Sequence, residues 1–200
     1  ENALISLNGQ SSGDIVLEAG VYQETLTFGT TRSRRTITGL SADRSVINRT
    51  VTFNENCQQS ILRNIKFDNP TGYCIDINST LSNFVFDGIN IGGNVANAIW
   101  LMVQSGGSGF ITLNNCDCNN KQILLSNTAT PRFLFMAGVA NCLLNAGTGW
   151  IVIKSPTCAN VIEVSNNNNV LDGFVANSVI SNDTIYNTII ALGASANGYY

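Results

Sequence analysis

Six short segments share one template: an apolar residue, any residue, Asn or Gly, then an apolar residue. They are Ile37-Thr38-Gly39-Leu40, Leu62-Arg63-Asn64-Ile65, Phe86-Asp87-Gly88-Ile89, Leu113-Asn114-Asn115-Cys116, Met136-Ala137-Gly138-Val139 and Leu171-Asp172-Gly173-Phe174. The Asn/Gly positions fall at 39, 64, 88, 115, 138 and 173, a nearly even step until the last, which is longer. Gly and Asn enter the left-handed backbone region at the least steric cost. A bend that needs this conformation once per period, flanked by inward apolar side chains, predicts a solenoid of stacked β-coils.

Each period carries a second apolar column. Ile75-Asp76-Ile77, Ile99-Trp100-Leu101 and Ile123-Leu124-Leu125 recur at one constant step, and Ile162-Glu163-Val164 is displaced from it. The displacement and the long last gap predict an insertion within 143–160, with Trp150-Ile151-Val152-Ile153 as a loop or extra hairpin outside the regular coils. A coil then holds a strand before the bend, one after it, and a third some way further on, joined by turns rich in Asn, Ser, Thr and Gly. The expected inward stacks are Leu62/Phe86/Leu113/Met136/Leu171 and Ile65/Ile89/Cys116/Val139/Phe174. Parallel pairing between coils sets neighbouring ranks about 4.8 Å apart.

The composition agrees with this architecture. Only 12% of the 200 residues are charged, so neutral side chains must meet the polar needs of the turns. The length suits one domain: 1–14 as a lead-in, 15–192 as coils, 193–200 as a tail. With a net charge of -3, nucleic acid is not an expected partner. Arg32, Arg34, Arg35, Arg44 and Arg49, half of the basic residues, form a local basic patch. It reads as a solvated end, or as a contact for an anionic polymer or an acidic subunit. No apolar run reaches the length of about 18 residues that a transmembrane helix needs, so none is expected. The chain does not begin with Met and shows no signal-peptide pattern, which fits a mature or trimmed product.

Cys116 and Cys118 stand two apart on a strand, share one face, and read as small core residues. Cys57, Cys74, Cys142 and Cys158 leave room for a disulfide whose pairing the sequence leaves open. The chain has no His. No metal site and no cofactor are expected.

This pattern resembles the right-handed parallel β-helix of the pectate lyase-like superfamily over residues 13–192. The stretch Ile15-Val16-Leu17-Glu18-Ala19-Gly20-Val21-Tyr22-Gln23-Glu24-Thr25-Leu26-Thr27-Phe28, followed by Arg35-Thr36-Ile37-Thr38-Gly39, is similar to the entry coil of those proteins. The resemblance implies an all-β, single-stranded right-handed solenoid of about six to seven coils. It leaves function open, because the fold serves lyases, hydrolases, esterases, tailspikes and adhesins alike. Gly20-Val21-Tyr22-Gln23-Glu24 resembles the structural Gly-x-Tyr-x-Glu element of pectin methylesterases, whose catalytic signatures are missing here. The paired aspartates and the Gly-His-Gly motif of polygalacturonases are also missing.

The repeat predicts which side chains point outward. On the third strand these are Asp76, Trp100, Leu124 and Glu163. Three ranks put Asp76 and Glu163 about 14 Å apart, beyond the roughly 5–9.5 Å of glycosidase carboxyl pairs. Before the bend the outward column is Arg63, Asp87, Asn114, Ala137 and Asp172; after it, Lys66, Asn90, Asp117, Ala140 and Val175. Neither sets carboxylates on adjacent ranks. Asp87, Asp117 and Lys66 would have to meet diagonally to serve a lyase. No catalytic residue is assigned.

The surface instead suggests binding. An outward Trp100 would stack on a sugar ring, with Asp76, Asn78 and Glu163 as hydrogen-bonding partners; otherwise it lies under a loop or in a subunit contact. Outward Leu124, Ala137, Ala140 and Val175 predict a homo-oligomer, a trimer being compatible, or a larger assembly. The expected protein is a non-catalytic structural and recognition module. A virion spike, fibre or decoration protein, or a surface adhesin, would fit, extracellular or virion-associated and contacting a cell-surface polysaccharide. The alternative is a polysaccharide lyase or glycoside hydrolase with its site on the β-helix face or between subunits. An ice- or mineral-binding face lacks the sustained Thr ranks it would need.

Overall fold

A computed structural model of the chain describes residues 12–28, 34–54, 59–68, 71–78, 82–104, 109–125, 132–145, 151–154, 159–164, 169–174, 179–181 and 189–192. The first coil is β1 (Ser12–Leu17), β2 (Gly20–Tyr22) and β3 (Leu26–Phe28). The second is β4 (Arg34–Gly39), β5 (Ser45–Ile47) and β6 (Val51–Phe53). In the next two coils the strands on either side of the bend run together: β7 (Ser60–Phe67) with β8 (Ile75–Ile77), then β9 (Ser82–Ile91) with β10 (Ile99–Val103). Then follow β11 (Gly109–Asn114), β12 (Asp117–Leu125), β13 (Arg132–Ala137) and β14 (Ala140–Asn145). The chain continues through β15 (Ile151–Lys154), β16 (Ala159–Val164), β17 (Asn169–Phe174), β18 (Val179–Ser181) and β19 (Ile189–Leu192).

The strand pairings among the described residues are parallel and join one coil to the next, so the fold is a parallel β-solenoid. A first face runs β1–β4–β7–β9–β11–β13–β15–β17–β19. A second face carries β2, β5, the later halves of β7 and β9, then the starts of β12, β14 and β16. A third face carries β3, β6, β8, β10, β12, β14, β16 and β18. No helix occurs among the described residues, so none there is long and apolar enough to cross a membrane.

The bend column behaves as its residue types predict at four positions. Asn64, Gly88, Asn115 and Gly138 have φ of 53°, 63°, 50° and 63°. They alternate because they fit one another. Asn64 Oδ1 lies 2.8 Å from where a Cβ would stand on Gly88, and Asn115 Oδ1 lies 2.6 Å from the corresponding point on Gly138. Each Asn side chain covers the Gly of the next coil. Gly39 differs: its φ is not left-handed, and its missing Cβ makes room for the Asn64 carbonyl and for Ser45 Cβ at 2.8 Å. Leu40, expected to face inward, is exposed. Here the corner is wide, and Ser45 Oγ closes it by accepting from Leu40 N at 2.9 Å and donating to Leu17 O at 2.9 Å.

Strand alternation fills the interior. Ile37, Leu62, Phe86 and Leu113 stack in register and are fully buried, and Met136 follows on β13. Ile65, Ile89, Cys116 and Val139 form the buried column across the bend. Phe28, Phe53 and Phe84 make an internal aromatic run with centroids 5.5 and 4.9 Å apart, each pair adding about 0.5–1.5 kcal/mol beyond burial.

Several expectations are corrected by the register. Segment 151–154 is no loop or hairpin: β15 pairs in parallel with β13 and β17, as part of an ordinary coil. The long gap is therefore a full coil, and the coil count departs from six to seven. The period shortens there: Phe133, Val152, Val170 and Ile189 are successive partners, closer together in the chain than Leu62, Phe86 and Leu113. Leu171 and Asp172 consequently align with Leu134 and Phe135, out of step with the Met136 and Ala137 columns. Strand β1 starts at Ser12, and the tail 193–200 lies outside the described residues.

The two kinds of Gly lead to a direct comparison. Gly39→Ala forces a Cβ onto backbone atoms and is expected to cost about 3 kcal/mol, lowering the thermal midpoint by roughly 6–12 °C. Gly93→Ala, with nothing within 4 Å of the added carbon, should leave the midpoint unchanged. Equal shifts in a calorimetric scan would refute the close-approach explanation.

Candidate functional site

Asp76 occupies the middle of β8, whose alternation buries Ile75 and Ile77 and turns Asp76 outward. Its register partners are Thr52 on β6 and Met102 on β10. The carboxylate accepts a hydrogen bond from Asn78 Nδ2 at 3.3 Å and another from Gln104 Nε2 at 2.8 Å. These amides are held by a backbone ladder that continues past the strand ends: Asn54 N to Phe28 O, Asn78 N to Phe53 O and Gln104 N to Ile77 O, at 2.7, 2.7 and 2.8 Å. A row of Asn54, Asn78 and Gln104 thus runs beside the outward row Thr52, Asp76 and Met102. Asp76 and Asn78 are brought together as expected. Met102 and Gln104 complete the set, although the regular spacing of the repeat did not point to them.

Trp100 does not belong to this surface. Its side chain is completely buried. The regular step of the repeat puts Trp100 above Asp76, whereas Leu101, Met102 and Val103 are the partners of Ile75, Asp76 and Ile77. Against β12, Ile99 pairs with Gln122 and Leu101 with Ile123, so Trp100 is an extra residue bulged out of the ladder. A bulge breaks alternation and re-aims one side chain; here the indole enters the interior. Among the described residues Nε1 has no conventional hydrogen-bond acceptor, and it faces the thiol of Cys118.

Glu163 is also displaced. It pairs with Leu144, which pairs with Ile123, so it belongs to the Leu101 column rather than the Asp76 column. With β10, β12 and β14 between β8 and β16, the separation from Asp76 is about 19 Å along the stack.

Of the expected basic patch, Arg35 is withdrawn from the surface. Arg35 is buried, its guanidinium carbon 5.5 Å from the Phe28 ring centroid. The alternation of β4 points it inward with Ile37, and its register partner Gly13 has no side chain to exclude it. Arg44 is exposed on a turn, and Arg49 donates from Nη1 to Asn48 O at 3.2 Å. Arg34 begins β4, and Arg32 lies outside the described residues.

The remaining outward columns are arranged as the repeat indicates for Arg63, Asp87, Asn114 and Ala137, and for Lys66, Asn90, Asp117 and Ala140. Val175 lies outside the described residues. Of the possible lyase trio, Asp87 stands on the first face and Lys66 and Asp117 share a column of the second, with Asn90 between them. Asp87 faces Arg63 at 3.8 Å, an exposed pair worth under about 1 kcal/mol. Asp117 Oδ1 accepts from Asn119 N at 3.1 Å and from Asn141 Nδ2 at 3.0 Å. Asp68 takes both the backbone N and the Nδ2 of Asn94, at 3.1 and 2.9 Å. Each carboxylate is braced by amide or guanidinium donors.

Cys116 and Cys118 point inward as expected, and Cys74 and Cys142 are buried as thiols, so neither forms a disulfide. Cys57 and Cys158 lie outside the described residues. Among those described, no group of three or more His, Cys, Asp or Glu is placed to hold a metal ion. Burial, then the neighbouring Cys118, pushes the Cys116 thiol far above the ordinary range. Burial, then the Cys142 thiol beside it, does the same to Cys118.

No protein-family model, curated protein or solved structure matches the chain.

The thiols carry a pH prediction. A thiol that stays protonated when folded and ionises when unfolded has no effect below the unfolded pKa, near 8.5, and destabilises the fold above it. Unfolding free energy should be flat to about pH 8.5 and then fall by about 1.4 kcal/mol per pH unit for each of Cys116 and Cys118. Urea titrations from neutral to alkaline pH would measure this slope. A Cys116→Ala/Cys118→Ala variant should lose most of it, and an unchanged slope would contradict the assignment.

Proposed function

We propose that the chain is a non-catalytic structural and recognition module of the right-handed, pectate lyase-like β-helix type. Such a virion spike, fibre or decoration protein, or surface adhesin, would bind carbohydrate on its third face. The observation carrying this reading is the braced polar row: Asp76 held by Asn78 and Gln104, with Thr52 and Met102 in register on either side. Sugars are bound by planar carboxylates and amides that contact hydroxyl groups, beside an apolar side chain that covers a C–H face. Met102 supplies the apolar part that Trp100 would have provided.

The same bracing supports recognition over proton transfer. A carboxylate that already accepts two amide donors is preorganised as an acceptor. Among the described residues, no two carboxylates share a column at the glycosidase separation.

Binding of the wild-type protein to a panel of bacterial and plant polysaccharides, read by calorimetry or glycan array, tests the assignment. Asp76→Ala should weaken binding about tenfold, the loss of a charge-assisted hydrogen bond. Trp100→Phe, which keeps the core filled, should bind like wild type. Unchanged affinity in Asp76→Ala would remove the proposed row. Release of reducing ends or unsaturated sugars by the wild type would replace recognition with catalysis.

A further inference from the structure

Cys118 on β12 and Cys142 on β14 stand on successive coils, at the corner between the second and third faces. The ladder between these strands is interrupted there. Asp117 pairs with Ala140 and Lys121 with Cys142, so Cys118, Asn119 and Asn120 oppose Asn141 alone. Both sides of the gap are nevertheless held in place. Asn119, Asn120 and Asn141 are left-handed. Asp117 Oδ1 accepts from Asn119 N on its own coil and from Asn141 Nδ2 on the next, so one carboxylate ties the two corners together. Beneath this clamp the side chains of Cys118 and Cys142 are both buried, and their thiols are in hydrogen-bond contact. An offset of one residue between strands about 4.8 Å apart sets the two Cα atoms about 6 Å from each other, the usual separation across a cystine. Cys116 is engaged elsewhere: its Sγ lies 3.5 Å from Phe86 O and 3.2 Å from Asn114 O.

We propose that Cys118 and Cys142, thiols in this structure, close to a disulfide between the two coils when the chain meets an oxidant of the small-molecule disulfide class. The reaction is thiol–disulfide exchange in two steps. One cysteine, as thiolate, attacks a sulfur of the oxidant; the S–S bond of the oxidant breaks, a mixed disulfide forms, and the first small thiol leaves with the proton. The second cysteine, as thiolate, attacks the protein sulfur of the mixed disulfide, and the other small thiol leaves with the second proton. Two cysteine thiols are thus oxidised to one cystine, and one external disulfide is reduced to two thiols. Because both sulfurs are buried, the oxidant reaches them before the corner closes in folding or when it opens locally. The bond spans the place where the backbone ladder is broken. It also closes a loop of a whole coil, which restricts the unfolded chain and stabilises the folded one.

The test uses the full chain, reduced and then divided between dithiothreitol and oxidised glutathione. After alkylation and digestion, the oxidised sample should contain the peptide carrying Cys118 linked to the peptide carrying Cys142, and the reduced sample should not. Oxidation should raise the thermal midpoint by roughly 7–14 °C. Cys118→Ala and Cys142→Ala should lose both the link and the rise, whereas Cys116→Ala should keep both. The rise is read within each variant, oxidised against reduced, so a lower starting stability does not obscure it, and the linked peptide in the wild type needs no variant at all. Absence of that link, capture of either cysteine by a different partner, a midpoint that oxidation leaves unchanged, a rise that persists in Cys118→Ala, or a link lost in Cys116→Ala would each overturn the proposal. No carbohydrate enters the experiment, so this assignment and that of the Asp76 row can fail separately.

Discussion

Parallel register between successive coils is the constraint from which the rest of this molecule follows. Strands between the two ends pair with the coil before and the coil after, so the length of each coil decides which side chains stand on one another. The longer early coils carry Leu62 onto Phe86 and Leu113. Shorter coils in the later part carry Phe133 onto Val152 and Val170. Within a strand, a shift by a single position moves a side chain to the opposite face. Register therefore governs core composition and surface chemistry together.

The corners reconcile unequal coils with equal pairing. At the bend, left-handed Asn and Gly alternate because an Asn carboxamide from one coil occupies the place that a side chain on the next Gly would need. At Gly39 the glycine answers a different demand, the approach of the Asn64 carbonyl and Ser45. At the corner between second and third faces, Asn119, Asn120 and Asn141 have φ of 47°, 57° and 52°. There a tight bend replaces the longer connections of earlier coils, allowing β12 and β14 to serve both faces. Asn is thus used as a backbone element as much as a polar side chain, which explains how so weakly charged a chain builds an ordered surface.

The interior and the polar row are coupled through one bulge. The extra residue at Trp100 fills the core beside Cys118 and lets Met102 and Gln104 reach the rank of Asp76 and Asn78. Without it the strand would present an indole on the surface. Small thiols in the Cys116 and Cys118 positions belong to the same core, whose dryness keeps them protonated. Bracing by amides then leaves Asp76, Asp68 and Asp117 as fixed acceptors on the outside.

Periodicity alone was enough to establish the solenoid, its bend column, the inward Leu62, Phe86 and Leu113 stack, and the outward place of Asp76. These follow from local rules: alternation along a strand and the backbone freedom of Asn and Gly. The sequence was silent where a coil changes length without changing its apolar pattern. Ile99-Trp100-Leu101 fits the regular step as well as Leu101-Met102-Val103 fits the true one, and only pairing with both neighbouring strands distinguishes them. The same ambiguity hid the coil at 151–154 and moved Glu163 and Asp172 out of their expected columns. Arg35 shows the limit from the other side: a charged residue entered the core because strand phase and the bare Gly13 beneath it left no other direction. Local chemistry selected the architecture, and long-range hydrogen-bond register selected the surface.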